Sequence, residues 1–392
     1  MKSVCILNQN IYDEDVRVRR KAEALHAAGY KVDVLALQSS SNLRRYTLDG
    51  ANIYTFPLRK KRGSKWRYSF EYLTFIFWAF FKLFILMRDR KYDLIDVNTL
   101  PDFLVFATLY PRWKGAKILL DMHEITPEFL MSKYGVPATH WQVRLVRFVE
   151  RISISYADHV ITINEPIQQL LEGRGLAASK STIIMNSADE AMFSAFLDQD
   201  DATSFTPKSA KFVMMYHGTL THIYGLDIAI EAFGIARKDM PSAEFWILGD
   251  GPEMASLEKV SRTLGMEAAV RFIGRVRPEE IPQWLVQCDV GVLPTRQDVF
   301  LDFSFSNKLS EYIVLGKAVI ASRLRTIRYY FSEGALAYFE PNNPTDLAKQ
   351  MTRMYEDRDL RVQLAIKAKQ EYAPIRWEVM RQRYLKLVED LT

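Results

Sequence analysis

Short apolar runs alternate with stretches of helical periodicity from one end of the chain to the other. In the first half, residues 3–7, 31–37, 52–56, 94–97, 117–121, 159–162 and 181–185 read as strands. Helical patterns such as 16–28 and 143–156 lie between them. This alternation predicts parallel sheets covered by helices. The unbroken apolar character of the strands fits burial on both faces. The pattern fails at 196–210, where Asp198, Gln199, Asp200, Asp201, Ser204, Thr206, Pro207 and Ser209 crowd an aperiodic stretch that reads as a linker. It then restarts, with strands at 212–216, 245–248, 270–273, 290–294 and 318–322. Helices are predicted at 226–237, 253–264, 279–287 and 307–315. The tail, 377–391, is one more amphipathic helix. The expected architecture is α/β, with two Rossmann-like doubly wound domains facing each other across a cleft. Residues 1–200, completed by helix 376–392, form the first domain, and residues 205–375 the second. Ligands of such sheets bind outside the carboxyl ends of the strands.

Composition narrows this only slightly. The 392 residues are 48% hydrophobic and 25% charged, the balance of an ordinary soluble protein with room for two cores. The two cysteines, Cys5 and Cys288, sit far apart in apolar runs. They read as buried thiols of a cytoplasmic protein, not as a disulfide framework or metal site. The first residues lack the basic and apolar regions of a secretion signal and read as a strand. The net charge of +5 is local: Arg59, Lys60, Lys61, Arg62, Lys65 and Arg67 precede the apolar run 72–87. That run contains Lys82 and is shorter than the roughly 20 residues a membrane span requires. Two readings remain open, a helix docking on an anionic membrane face and a solvated turn before an internally packed helix. No basic stripe interleaved with aromatics recurs, which disfavours nucleic acid.

Several segments carry candidate chemistry. Ile247-Leu248-Gly249-Asp250-Gly251-Pro252 runs from a strand into a glycine turn, where backbone can approach a ligand closely. It is not a dinucleotide fingerprint, because Met254 stands where the third glycine belongs. Ser306-Asn307-Lys308-Leu309-Ser310-Glu311 opens a helix. Its amides, dipole and Lys308 together could hold a diphosphate, and Glu311, one turn on, could accept ribose hydroxyls. The plainer alternative is a capped helix with an exposed Lys–Glu pair. Asp121-Met122-His123-Glu124 ends a buried strand and brings a histidine between two carboxylates to its carboxyl end. The alternative there is a histidine satisfying its own loop. The other histidines have no metal-ligand spacing.

In order, these segments resemble the retaining glycosyltransferases of family 4, which have the GT-B fold. The resemblance spans nearly the whole chain. It includes Asp15-Val16-Arg17-Val18, the stretch Asn186-Ser187-Ala188-Asp189 followed by Phe193, and His217-Gly218-Thr219-Leu220 leading to Tyr224-Gly225-Leu226-Asp227. Phe272-Ile273-Gly274-Arg275-Val276 and Gly316-Lys317-Ala318-Val319-Ile320 complete it. The departures are specific. Family members often carry Glu, seven residues and Glu; here Phe303, beside Asp302, stands in the first place. Their usual diphosphate-binding Arg and Lys fall at Thr219 and Tyr224. Met185 and Ser187 replace Pro and Gly, and no double glycine follows the first strand.

The resemblance implies transfer of a sugar, with retention, from a nucleotide-diphosphate sugar. UDP is favoured over GDP, and the acceptor is expected to be a lipid-linked or surface-polysaccharide glycan. His123, Glu124 and Lys308 are the expected catalytic set. Gly218, Thr219, Gly249, Gly251, Arg275, Val276, Ser306, Asn307, Leu309 and Glu311 are expected on the donor, and Asp15, Arg17 and Asn98 on the acceptor side. No metal and no other cofactor are expected. The principal task is to stabilise the departing diphosphate, so the carboxylate pair of a glycosidase is not required. The expected place is the cytoplasm, peripherally on the inner face of the plasma membrane. The rival readings are a nucleotide-sugar epimerase and a non-catalytic subunit of a polysaccharide assembly complex.

Overall fold

The computed structural model describes residues 1–39, 42–58, 65–197 and 211–392, with the backbone alone at 65–69 and 197. The basic residues 59–62 and the stretch 198–210, most of the expected linker, lie outside the described residues. The chain divides into two compact units, Met1–Asn186 with Glu378–Thr392, and Ser187–Trp377.

In chain order the first unit holds β1 (Ser3–Ile11), α1 (Val16–Ala27), β2 (Lys31–Leu37), β3 (Arg45–Leu48), β4 (Ala51–Phe56), α2 (Lys65–Leu86), β5 (Leu94–Asn98), α3 (Leu109–Trp113), β6 (Lys117–Met122), α4 (Thr126–Tyr134), α5 (Trp141–Tyr156), β7 (His159–Thr162), α6 (Glu165–Glu172) and β8 (Ser181–Ile183). Its sheet has the order β3-β4-β2-β1-β5-β6-β7-β8. Among the described residues, only the β3–β4 pair of this sheet is antiparallel. The central strands are buried along both faces, as their apolar runs require.

The second unit follows with α7 (Glu190–Leu197), β9 (Phe212–His217), α8 (Leu226–Ala236), β10 (Ala243–Leu248), α9 (Met254–Thr263), β11 (Val270–Gly274), α10 (Ile281–Leu285), β12 (Val290–Leu293), α11 (Asn307–Val314), β13 (Ala318–Ser322), α12 (Arg325–Tyr330), β14 (Ala337–Phe339), α13 (Pro344–Glu356) and α14 (Arg358–Tyr372). Its parallel sheet has the order β11-β10-β9-β12-β13-β14. The last helix, α15 (Trp377–Leu391), returns to the first unit. The helix expected over 279–287 is shorter. A 3-10 turn at Pro278–Glu280 precedes α10, and Pro278 and Pro282 leave little room for a longer one.

The first unit is organised around a lysine. Lys21 of α1 has no solvent exposure. Its ammonium donates to Asp96 at 2.9 Å, to Asp121 at 2.7 Å and to the side-chain Oδ1 of Asn98 at 2.6 Å. Arg17, one turn earlier, donates to both oxygens of Asp121. The Tyr384 hydroxyl of α15 donates to Asp96 at 2.7 Å, and its ring lies 5.5 Å from the Lys21 ammonium. A buried carboxylate is costly unless paired and hydrogen-bonded, so α1, β5, β6 and α15 hold one another in place. Around them, the Met380 sulfur accepts the Met185 amide and Arg383 donates to the Ile183 carbonyl. Lys21→Met should therefore lower stability by about 3–5 kcal/mol, the cost of stranding buried carboxylates. Tyr384→Phe, which removes one bond to a charged group, should cost about 1.5–3 kcal/mol. Urea unfolding followed by near-UV circular dichroism measures both.

Candidate active site

At the carboxyl end of the second sheet three loops press together. Gly218 follows β9 with φ +124°, and a Cβ there would lie 2.2 Å from the Lys308 Cε. A Cβ on Gly249, after β10, would meet the Gly218 carbonyl oxygen at 1.9 Å, and one on Gly251 the Leu220 oxygen at 2.3 Å. The Gly218 amide is already bonded to the Leu248 oxygen, and the Gly249 amide to the Gly274 oxygen, both at 2.8 Å. These glycines thus provide close loop packing and a path for the lysine chain; their amides are engaged within the protein.

Lys308, in the first turn of α11, crosses Gly218. Its ammonium stands 4.2 Å from the centre of the Tyr224 ring and 5.6 Å from that of Tyr216. Among the described residues no carboxylate lies within 4 Å of it. Burial pushes its pKa down to about 8, and Glu311 opposes that shift. A cation held by ring faces without a paired anion is a ready partner for a ligand anion. Glu311, three residues on, receives the Nε2 of His217 at 2.5 Å. Ser306 occupies the N-cap of α11, but its side chain does not close the cap expected from sequence. The start of the helix dipole keeps its positive end uncovered by that hydroxyl. Leu309 is buried beneath this turn, and Asn307 is half-buried. Thr219 is exposed, its carbonyl accepting the Tyr216 hydroxyl. Arg275 is exposed and Val276 half-buried after β11, which pairs with β10 beside the Gly249 turn.

The first unit assembles its own set at the ends of β5 and β6. His123 Nε2 lies 3.1 Å from Asn98 Oδ1 and 3.3 Å from Asp121 Oδ2. Both are acceptors, so the proton belongs on Nε2 and Nδ1 presents a lone pair. The His123 amide donates to the Thr99 hydroxyl oxygen. Burial lowers the His123 pKa and favours the neutral ring. Burial alone would raise the Asp121 carboxyl; Arg17 and Lys21, with His123, outweigh it and hold it well below the usual carboxylate range. Burial raises Glu124. Asp15 caps α1 by accepting the Val18 amide, and it also receives the Asn8 and Asn10 side chains.

Known proteins place this arrangement. Residues 15–187 match a family described as glycosyl transferase 4-like domain, and residues 211–357 one described as glycosyl transferases group 1. The chain is a family 4, group 1 glycosyltransferase. It is 25% identical to N,N'-diacetylbacillosaminyl-diphospho-undecaprenol alpha-1,3-N-acetylgalactosaminyltransferase of Campylobacter jejuni, covering 79% of this chain and 80% of that one. Sucrose-phosphate synthase from Thermosynechococcus elongatus superposes with TM-score 0.75 at 17% identity, covering 100% of this chain and 99% of that one. Anabaena HepE in complex with UDP gives 0.72 at 16%, each chain covered in full. These likenesses establish the GT-B fold of the glycosyltransferase.

The expected site residues thus fall on two units. Arg17, Asn98, His123 and Glu124 gather on the first, with Asp15 bound into the turn before α1. Gly218, Thr219, Gly249, Gly251, Lys308, Leu309 and Glu311 gather on the second, with Arg275 and Val276 on the neighbouring strand end. Several contributors were missed from sequence. Lys21, Asp96 and Tyr384 lie behind the histidine, and Tyr216 joins Tyr224, already noted as standing where the family has Lys, in flanking the lysine. Asp102 is another: buried and bonded by the Thr126 hydroxyl, it is pushed up to about 7 by burial and Glu150. Asp302, beside the place of the family's first Glu, accepts the Arg325 amide and so anchors α12. Grooves of about 550 Å³ against α8 and α13 and about 950 Å³ at the amino ends of β1 and β2 lie away from the strand ends where this chemistry collects.

Competitive acetylation of the free enzyme, read by mass spectrometry, should give Lys308 a titration midpoint near 8, about two units below an ordinary lysine. Glu311→Gln should move that midpoint further down, because Glu311 favours the charged form.

Proposed function

We propose that this glycosyltransferase moves a hexose, with retention and without a metal, from a UDP-sugar to a lipid-linked acceptor at an anionic membrane face. The observation that carries the donor half is the Lys308 ammonium, which faces Tyr224 at the uncapped start of α11 with Glu311 one turn away. On this reading Lys308, Ser306 and Asn307 take the diphosphate, Glu311 the ribose, and Arg275 and Val276 flank the base. Lys308 replaces in part the Arg and Lys that the family has where this chain carries Thr219 and Tyr224. The bond from the sugar carbon to the diphosphate breaks, and a new bond to the acceptor oxygen forms on the same face. The acceptor's proton passes to the departing phosphate oxygen. Charge on that oxygen is what preorganised donors stabilise. His123, neutral and fixed, and Glu124 act on the donor sugar or acceptor. UDP as the nucleotide is supported by the UDP complex of HepE.

The acceptor half rests on two supports. The Campylobacter relative is named for a diphospho-undecaprenol acceptor. The helices on one side of the first sheet also leave aromatic rows uncovered. Phe70, Leu73, Phe77, Phe81 and Phe84 of α2, Trp113 of α3, and Trp141, Leu145 and Phe148 of α5 are exposed. Successive right-handed crossovers put α2, α3 and α5 on the same face of the sheet, and Phe84 of α2 packs against Tyr110 of α3. Arg88, Arg112, Lys114, Arg144 and Arg151 are exposed on or beside these helices. Aromatic rows with flanking cations suit the interface of an anionic bilayer. Among the described residues no helix is long and apolar enough to cross a membrane. Attachment would therefore be peripheral, on the cytoplasmic face, with residues 59–67 adding charge.

A thermal-shift panel of nucleotides, run without metal, tests the donor reading. UDP should raise the melting temperature, and Glu311→Ala should remove the shift. Turnover should fall in both Glu311→Ala and His123→Ala. No shift with any nucleotide would favour a non-catalytic role. For the membrane, sedimentation with phosphatidylglycerol vesicles should show binding at low salt that weakens in high salt and in Phe77→Ser/Phe81→Ser. No binding at low salt would remove the membrane from the proposal.

A further inference from the structure

We infer that His217 is a positioning residue that sets Glu311 for the hydroxyls of the nucleotide's ribose. The inference rests on the reading of Glu311 as the ribose acceptor and adds a second residue to it. His217 ends β9 and is 3% exposed. Its ring stands edge-on to Tyr312, 4.9 Å between centres at 78°, and the Tyr312 hydroxyl is itself fixed to the Met215 oxygen at 2.7 Å. Nε2 faces Glu311 Oε2 at 2.5 Å, while Nδ1 is buried with no partner among the described residues.

A neutral imidazole carries one N–H and one lone pair. Here the N–H belongs on Nε2, where a carboxylate receives it. His217 is thus a donor that ties down one oxygen of Glu311. The side chain of Glu311 is 22% exposed, and its other oxygen has no partner among the described residues. An unrestrained glutamate must lose rotamer freedom when it engages a ligand. A glutamate already held by a rigid ring has lost that freedom beforehand and offers its remaining oxygen in a fixed place. Lys308 lies three residues earlier on the same helix face. One turn of α11 therefore presents a cation for phosphate and a fixed carboxylate for the adjoining sugar.

Calorimetric titration with UDP and with 2′,3′-dideoxy-UDP separates this from a structural role, using the wild type, Glu311→Ala, His217→Phe and His217→Gln. The phenylalanine keeps a flat ring against Tyr312 without the donor; the glutamine restores a donor. The wild type should prefer UDP over its dideoxy form by about tenfold or more, the value of a hydrogen bond to a charged group. Glu311→Ala should lose that preference. His217→Phe should lose most of it, through weaker UDP binding with dideoxy-UDP binding unchanged, and His217→Gln should retain it. If Glu311→Ala loses the preference and His217→Phe keeps it, the positioning role is wrong and the ribose reading stands. If Glu311→Ala keeps the preference, the ribose reading fails and this inference with it. A loss of affinity in His217→Phe that is equal for both nucleotides would mark a merely structural residue. Should His217→Phe fail to fold, His217→Met removes the same donor.

Discussion

Everything at the carboxyl ends of β5 and β6 depends on one buried charge. Lys21 places a cation among Asp96, Asp121 and Asn98, and none of the four is solvent-exposed. Two of these partners, Asp121 and Asn98, also receive the His123 ring. The tautomer and direction of that histidine are therefore consequences of a lysine that is nowhere near solvent. An apolar core could hold the same helices together. It could not supply the two acceptors that fix one proton on one nitrogen.

The second unit solves the opposite electrostatic problem. There the cation is kept from forming an ion pair of its own. Tyr216 and Tyr224 give Lys308 a polarisable surface in place of a counter-ion. Gly218 lets the chain of that lysine cross the backbone closely enough to reach them. The glycine-rich turns of this unit would ordinarily suggest amides exposed to a ligand. Here the Gly218 and Gly249 amides are spent on neighbouring loops, and side chains and the opening of α11 are left to meet the anion.

The strands were legible because parallel strands buried on both faces must be continuously apolar, while the helices α12, α13 and α14 were not placed from the sequence. What escaped was what lacks that signature. β3 alternates exposed and half-buried residues at a sheet edge, and β14 is three residues long. The places of the candidate residues were likewise legible, since each stands at a strand or helix end that the pattern defines. Their supports were not. Lys21 on an amphipathic helix reads as a solvated position until the fold brings Asp96 and Asp121 to it across 75 and 100 residues. The same holds for His217 and Glu311, which are 94 residues apart. The serine at the head of α11 misled in the other direction: residue preference gives the position of a cap, and rotamer decides whether the bond is made.

The return of α15 carries a consequence for biosynthesis. Tyr384, which completes the surroundings of Asp96, lies beyond the whole second unit in the chain. A ribosome must therefore make the second unit before the first can close. Until then the first unit exists as a sheet with one acidic partner short of a donor and with the surface for Met380, Tyr384 and Val388 uncovered. The second unit, continuous in sequence, needs no such wait, so the order of completion runs against the order of synthesis.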